Sequence, residues 1–342
     1  MKPFTLSVVL GAALLGARIA SACPGCSNPN LPSARSGGGV LAPGEVAVAL
    51  NLSGTSRQVV HSEECPEIGP ICDQRAEPAQ LHDQQFYIAE LRPMVTVGLS
   101  ETYGVELQVP IRTVSTQIVF RRLDGTAFEP DYENIHHRDE TLIGFADPWL
   151  LGLGTLSLGG VTLTGRAGVG LPVGSTEEDP FARGRAGLSH QHIQFGTGTF
   201  YPVFSLDVGF TIAPVRVSGY GQAIVFLYEN SQDYFPGSRF MVGGAGELDL
   251  IVGLSAGLGF DIINEQPERW SGVVQQDGNV GRTDVLGGGH LSYRFGAVST
   301  SLGLKVPLYQ HFIETSPEHG GEVGQLSYPA ILNLAVQARF GR

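Results

Sequence analysis

The connections between candidate strands sort into a long set and a short set, and this sorting constrains the fold more than any other feature. Read for period-two alternation, the sequence offers about a dozen strands. They lie near 44–54, 86–99, 103–119, 142–154, 161–172, 199–212, 215–228, 239–252, 255–263, 284–295, 298–308 and 328–340. In the third, Val105, Leu107, Val109 and Ile111 face one way, and Glu106, Gln108 and Arg112 the other. In the last, Leu332, Leu334, Val336 and Phe340 oppose Asn333, Gln337 and Arg339. Every second connection is a tight turn, as at Ser100 to Thr102, Ala213-Pro214 and Gly296-Ala297. The others are long and polar, at 55–85, 120–141, 173–198, 229–238, 264–283 and 309–327.

A soluble β-sandwich or jelly roll has no reason to sort its loops in this way. A transmembrane antiparallel β-barrel does, with short periplasmic turns, long external loops and an even strand number. The fold expected is therefore all-β, a barrel of about 12 strands in the outer membrane of a Gram-negative bacterium. Most of the 33 acidic residues, and every histidine except His290, fall in the long connections. Tyr201, Tyr228, Tyr309 and Tyr328 lie near strand ends, where an interfacial aromatic girdle is expected. The chain ends just after a strand closing on Phe340, like the C-terminal aromatic signal of outer-membrane proteins.

Composition excludes other classes. Lys+Arg total 21 against 33 Asp+Glu, a formal charge of −12, and the only lysines are Lys2 and Lys305. Such a chain has no basic face for nucleic acid. Its 47 glycines and 16% charged residues suit strands and turns. After the first twenty residues, no apolar run is long enough for a membrane helix.

The chain opens on Lys2, an apolar stretch from Thr5 to Ala17, and Ala20-Ser21-Ala22. This is the pattern of a secretory signal peptide over 1–22, leaving Cys23 first in an oxidising compartment. Residues 23–43, rich in Gly, Pro and Ser, read as a periplasmic arm or a small plug, and 44–342 as the barrel. The partners expected are outer-membrane lipid, a small-molecule solute and the barrel-assembly machinery, with the barrel a monomer.

Apolar stripes facing lipid leave the opposite stripes in the lumen. The lumen candidates are Glu90, Arg92, Glu106, Arg112, Arg166, Asp207, Glu247, Asp249, His290, Arg294, Lys305 and Arg339. They fit either a selective channel lining or a set of pairs that neutralise one another. Acidic outer loops would concentrate cations at the mouth.

Cys65 and Cys72 sit close together in the first long loop and suit a disulfide in an exported protein. Cys23-Pro24-Gly25-Cys26 fits a local disulfide, a lipidated Cys23, or a redox or metal pair. His136-His137 lie among carboxylates, and His190-Gln191-His192 sets two imidazoles on one face of an extended segment. Such a set suits zinc or copper, with no third ligand fixed by the sequence; no other cofactor is called for. No G-x-S-x-G elbow appears, and the strand histidine His290 alternates with Ser292 and Arg294 on the lumen stripe, so no enzyme is expected.

Over 143–210 the chain resembles the outer-membrane transporter family named for the MetA pathway of phenol degradation. Three segments carry the resemblance: Gly144-Phe145-Ala146-Asp147-Pro148-Trp149, Gly168-Val169-Gly170-Leu171-Pro172-Val173-Gly174, and Gly196-Thr197-Gly198-Thr199. It implies a barrel passing small, aromatic or apolar compounds, and carries over no functional residue. The CPGC start is not part of that pattern. The function expected is a channel for a small apolar, aromatic or cationic solute. The alternative is a non-conducting barrel that binds a metal or protein partner through CPGC and the loop histidines.

Overall fold

A computed structural model of the chain describes residues 27–32, 41–63, 80–131, 134, 136–314 and 324–341. The expectations for the signal peptide, Cys23, Cys26, Cys65 and Cys72 fall outside these residues. The strands are β1 (Val46–Glu63), β2 (Gln80–Gly98), β3 (Tyr103–Gln108), β4 (Ile111–Arg122), β5 (Glu140–Phe145), β6 (Trp149–Leu158), β7 (Val161–Gly170) and β8 (Tyr201–Ile212). There follow β9 (Val215–Ile224), β10 (Tyr234–Phe235), β11 (Arg239–Ile251), β12 (Leu254–Glu265), β13 (Arg269–Trp270), β14 (Arg282–Phe295), β15 (Val298–Phe312) and β16 (Ile331–Phe340). One short helix, α1 (Pro180–Arg185), is capped by Asp179, whose side chain accepts from the Phe181 and Ala182 amides.

Fourteen strands form one antiparallel sheet, and β1 pairs with both β16 and β2, so the sheet closes. β3 and β4 are one crossing interrupted at Val109-Pro110, and both pair with β2. β5 and β6 are another, interrupted at Ala146-Asp147-Pro148. The barrel therefore has 12 crossings. Proline supplies no ladder N–H, which is why each break falls beside one.

Lipid dictates the wall. Closure satisfies every backbone group, and outward positions are apolar: Leu50, Leu91, Leu107, Leu150, Leu206, Phe260 and Leu334 are all exposed. Their neighbours Asn51, Glu90, Glu106, Asp261 and Asn333 point inward and are buried. At one end the turns are tight; Gly159 and Gly160 both take positive φ (+54° and +91°), as a two-residue hairpin turn demands.

The strands outrun the sequence estimate at the opposite end. β1 and β2 pair from Val46↔Val97 to Glu63↔Gln80, so residues 55–63 and 80–85 of the loop expected over 55–85 are strand. Their outer halves are rich in Gln, Ser and His and carry no lipid-facing apolar stripe to reveal them. For the same reason His61, His82 and His311 lie on strands rather than in loops. Two of the four expected girdle tyrosines are inward: Tyr201 is buried beside Trp149, and Tyr328 is buried in the core.

That core fills the outer half of the barrel. Val59, Phe86, Ile88, Val114, Met241, Ile263, Leu286 and Ile331 from the wall pack against Ile193 and Phe195 from one long loop. Leu326 and Tyr328 from another loop and Leu31 from the N-terminal segment complete the cluster.

Candidate functional site

The candidate site is the lumen, built from inward positions that β pleating selects every second residue. On the β2–β7 wall the charges interlock. Glu90 accepts from Arg92 (2.6 Å) and Arg112 (2.8 Å), and Arg92 Nη1 donates to Gln108 (3.2 Å). Gln108 donates to Glu106 (2.6 Å), and Arg166 bridges Glu106 (3.6 Å) to Asp207. The Arg92 guanidinium also lies 4.4 Å from the Trp149 ring centre. Glu90, Arg92 and Glu106 are buried.

The facing wall is wetter. Glu247 pairs with Arg216 (2.6 Å) and lies 3.8 Å from His290, Asp249 meets Arg216 (2.9 Å), and Lys305 meets Asp261 (2.7 Å). Apart from buried Asp261, these side chains keep partial exposure, Asp249 most of all at 48%. Gly257 permits this arrangement, because a Cβ there would stand 2.2 Å from the His290 ring. Arg294 and Arg339 lie exposed at the short-turn rim. Opposite charges thus cancel in pairs along both walls.

A third polar layer sits toward the long loops, with Glu265 and Arg282 in the expected loop 264–283 and Asp284 and Tyr328 at the first positions of expected strands. Arg282 faces Glu265 (3.4 Å) and Asp284 (3.3 Å), and its Nη1 donates to the Leu326 carbonyl (2.7 Å). Tyr328 donates to Asp284. The alternation Arg282-x-Asp284-x-Leu286 was the available signal for these inward residues.

The N-terminal segment enters this layer. Residues 41–45 are at the short-turn end, where Gly44 N donates to Gly98 O (2.9 Å). Residues 27–32 are at the other end, inside the barrel. Asn28 Nδ2 donates to Tyr234 Oη (3.2 Å) and Glu268 Oε2 (3.3 Å), and its Oδ1 accepts from Gln194 N (2.7 Å). Ser27 donates to Asn279 (2.8 Å) and to the Gly324 carbonyl (2.9 Å), while Asn30 donates to Glu265. Between Pro29–Leu31 and the wall at Ile88, Glu90, Arg112 and Val114 no water-sized space remains. Burial pushes Glu268 above the usual carboxylate range and Tyr234 well above its ordinary value.

This arrangement has the wall, the lipid-facing exterior and the filled lumen of a bacterial membrane barrel. In the solved structures it is similar to the COG4313 outer membrane channel from Pseudomonas putida F1. The match covers 88% of this chain and 97% of that one, with a TM-score of 0.56 and 12% identity. The chain has the fold of an outer-membrane β-barrel. A Pseudomonas aeruginosa FadL homologue overlaps 87% of this chain and 90% of its own, at a TM-score of 0.39 and 8% identity. The CymD monoaromatic hydrocarbon channel overlaps 88% and 90%, at 0.36 and 8%. No family model matches the chain, and no curated protein matches it by sequence.

In the barrel, the glycine-rich segments around 144–149, 168–174 and 196–199 converge on one carboxylate. Asp147, at the break between β5 and β6, accepts from Gly174 N (3.0 Å), Thr197 N (2.9 Å) and Thr197 Oγ1 (2.6 Å). A Cβ on Gly196 would lie 2.2 Å from the Gly174 carbonyl oxygen, so backbone meets backbone there. Asp147→Ala strands three donors and is expected to cost about 3 kcal/mol. Limited proteolysis checks it: the loop 171–200 should be cut faster in the variant, with the barrel still heat-modifiable on gels.

The loop histidines come together from two connections. His136 stacks on His137 (4.3 Å), His190 (5.0 Å) and His192 (4.5 Å). Burial lowers His190 below its ordinary value and takes His192 down to about 3. His137 meets His82 of β2 edge-on at 4.6 Å.

Proposed function

We propose that this barrel is a gated channel for small, largely apolar solutes, with residues 27–32 as the plug at its external mouth. The carrying observation is an apolar strip on the inner wall. Trp149, Leu151, Tyr201, Val203, Ile224 and Phe226 form one buried cluster on β6, β8, β9 and the connection after β9. A lumen built for hydrophilic solutes fills such positions with polar groups. Here Glu90, Glu106 and Asp207 are paired with Arg92, Arg112 and Arg166, and the wall beside them is hydrocarbon. The resemblance to the phenol-degradation family supports an aromatic solute, as does the name of the P. putida neighbour for a channel role.

The plug reading rests on the polar latch around Asn28 and on the absence of water-sized space beside Leu31. The test uses the mature chain in planar bilayers and liposomes, with phenol and a disaccharide as probes. Wild type should conduct in small, infrequent steps and admit phenol faster than disaccharide. Deleting residues 27–32 should raise conductance about tenfold, the effect of losing about 1.4 kcal/mol of closure. Equal entry of both probes would overturn the apolar reading, and unchanged conductance after deletion would overturn the plug.

A further inference from the structure

We propose that His136, His190 and His192 form a site for a divalent transition-metal ion that pins two external loops together. The inference stands apart from the channel reading, since none of the three lines the lumen wall. One imidazole comes from the connection between β4 and β5 and two from the connection between β7 and β8. One ligand nitrogen from each lies within 4.8 Å of the other two. A tetrahedral zinc site with metal–nitrogen bonds of about 2.0–2.1 Å sets its nitrogens about 3.3 Å apart. Side-chain rotation of His136 and His190, both only partly buried, closes that difference.

The surroundings hold these rings as ligands. His190 Nδ1 lies 2.9 Å from the Leu188 carbonyl oxygen. A carbonyl only accepts, so Nδ1 carries the proton and Nε2 keeps its lone pair. Metal-bound histidines are fixed in this way by a second hydrogen bond. The side chain of Asn134 accepts from the His136 amide (2.9 Å) and the His137 amide (2.6 Å), setting the turn that presents His136. Buried His192 is wedged edge-on against Phe181 of α1 at 4.6 Å. The two nearby guanidiniums have carboxylate partners of their own, Arg138 with Glu140 (3.1 Å) and Arg183 with Glu178 (2.6 Å).

Three imidazoles and no carboxylate in the set select zinc, copper or nickel over calcium and magnesium, which take oxygen ligands. Three protein ligands leave a fourth position for water or an exchangeable ligand. The metal would therefore tie the loops reversibly over the mouth.

The test titrates Zn²⁺ into the folded mature chain by calorimetry, with Co²⁺ as an optical probe of ligand type. A chain with Cys23, Cys26, Cys65 and Cys72 all changed to Ser serves as background, so that thiolates cannot contribute. One equivalent per chain is expected, with a Co²⁺ spectrum lacking thiolate charge transfer. His136→Gln, His190→Gln and His192→Gln should each weaken binding about 100-fold or more. His311→Gln, on exposed β15, should leave it unchanged. Zn²⁺ should also protect both loops from protease in the background chain and not in the variants. His190→Gln removes a half-buried ring and keeps the test valid should His192→Gln misfold. Absence of stoichiometric binding in the Cys-free chain, or binding unmoved by His190→Gln, would overturn the site.

Discussion

Glu90→Ala is expected to destabilise the barrel by about 3–5 kcal/mol, the range for breaking a buried ion pair from one side. Glu90 is 5% exposed and is the shared acceptor of Arg92 and Arg112. Removing it leaves two guanidiniums beside Pro29 and Leu31 with no carboxylate between them. Arg216→Ala supplies the contrast. Its partners Glu247 and Asp249 remain partly exposed, so its loss should cost about 1 kcal/mol or less. Urea unfolding from lipid vesicles reads both, and Trp149 fluorescence reports the first directly because Arg92 lies over its ring. Changing Glu90, Arg92 and Arg112 together to Leu should recover much of the loss, since an apolar replacement removes the desolvation cost as well. Glu90→Ala within about 1 kcal/mol of wild type would show that water reaches these charges.

The alternation of apolar and polar positions was legible in the sequence; which polar side chains meet was not. Lipid permits only a closed sheet with an apolar exterior, so alternation such as Val105-Glu106-Leu107-Gln108 reveals both wall and lumen. Pairing across the lumen depends instead on strand stagger. Glu106 and Arg166 sit on β3 and β7, with β6 between them, and no local pattern announces their contact. β6 was ambiguous for another reason. Leu150 faces lipid while Trp149, Leu151 and Leu153 face the interior, so apolar residues occur on both faces. The alternation that reveals strands says nothing of where residues 27–32 of the expected arm or plug lie, because they carry neither strand nor helix periodicity; only their polar partners in distant loops place them. His136 and His190 were visible as candidate ligands, but their meeting depends on two loops folding over the same rim.

In the proposed channel, opening is expected to rise as pH climbs above the ordinary carboxylate value of 4.5, and Glu268 is the group responsible. Its carboxylate accepts from Asn28 Nδ2 (3.3 Å), Asn279 Nδ2 (3.2 Å) and Tyr234 Oη (2.9 Å), with Asn279 N on the other oxygen (3.0 Å). Four donors favour the ionised form, yet burial outweighs them and nearby Glu265 adds repulsion, so the folded value is raised. A raised folded value means that the latched state binds this proton more tightly than the released state. The stabilisation is full below the ordinary value of 4.5 and is lost as pH rises through the folded value. Conductance in planar bilayers should therefore increase over that window. Glu268→Gln has no proton to lose and should flatten this pH profile, whichever way it shifts the baseline. Glu268→Ala strands four donors and should raise open probability about tenfold or more at every pH, since each buried donor left unmatched costs about 1–3 kcal/mol. His190→Gln separates the loop histidines from this effect: the profile should survive it. A wild-type conductance flat across the window, or a slope that persists in Glu268→Gln, would remove Glu268 from the gate while leaving the plug itself to be judged by the deletion.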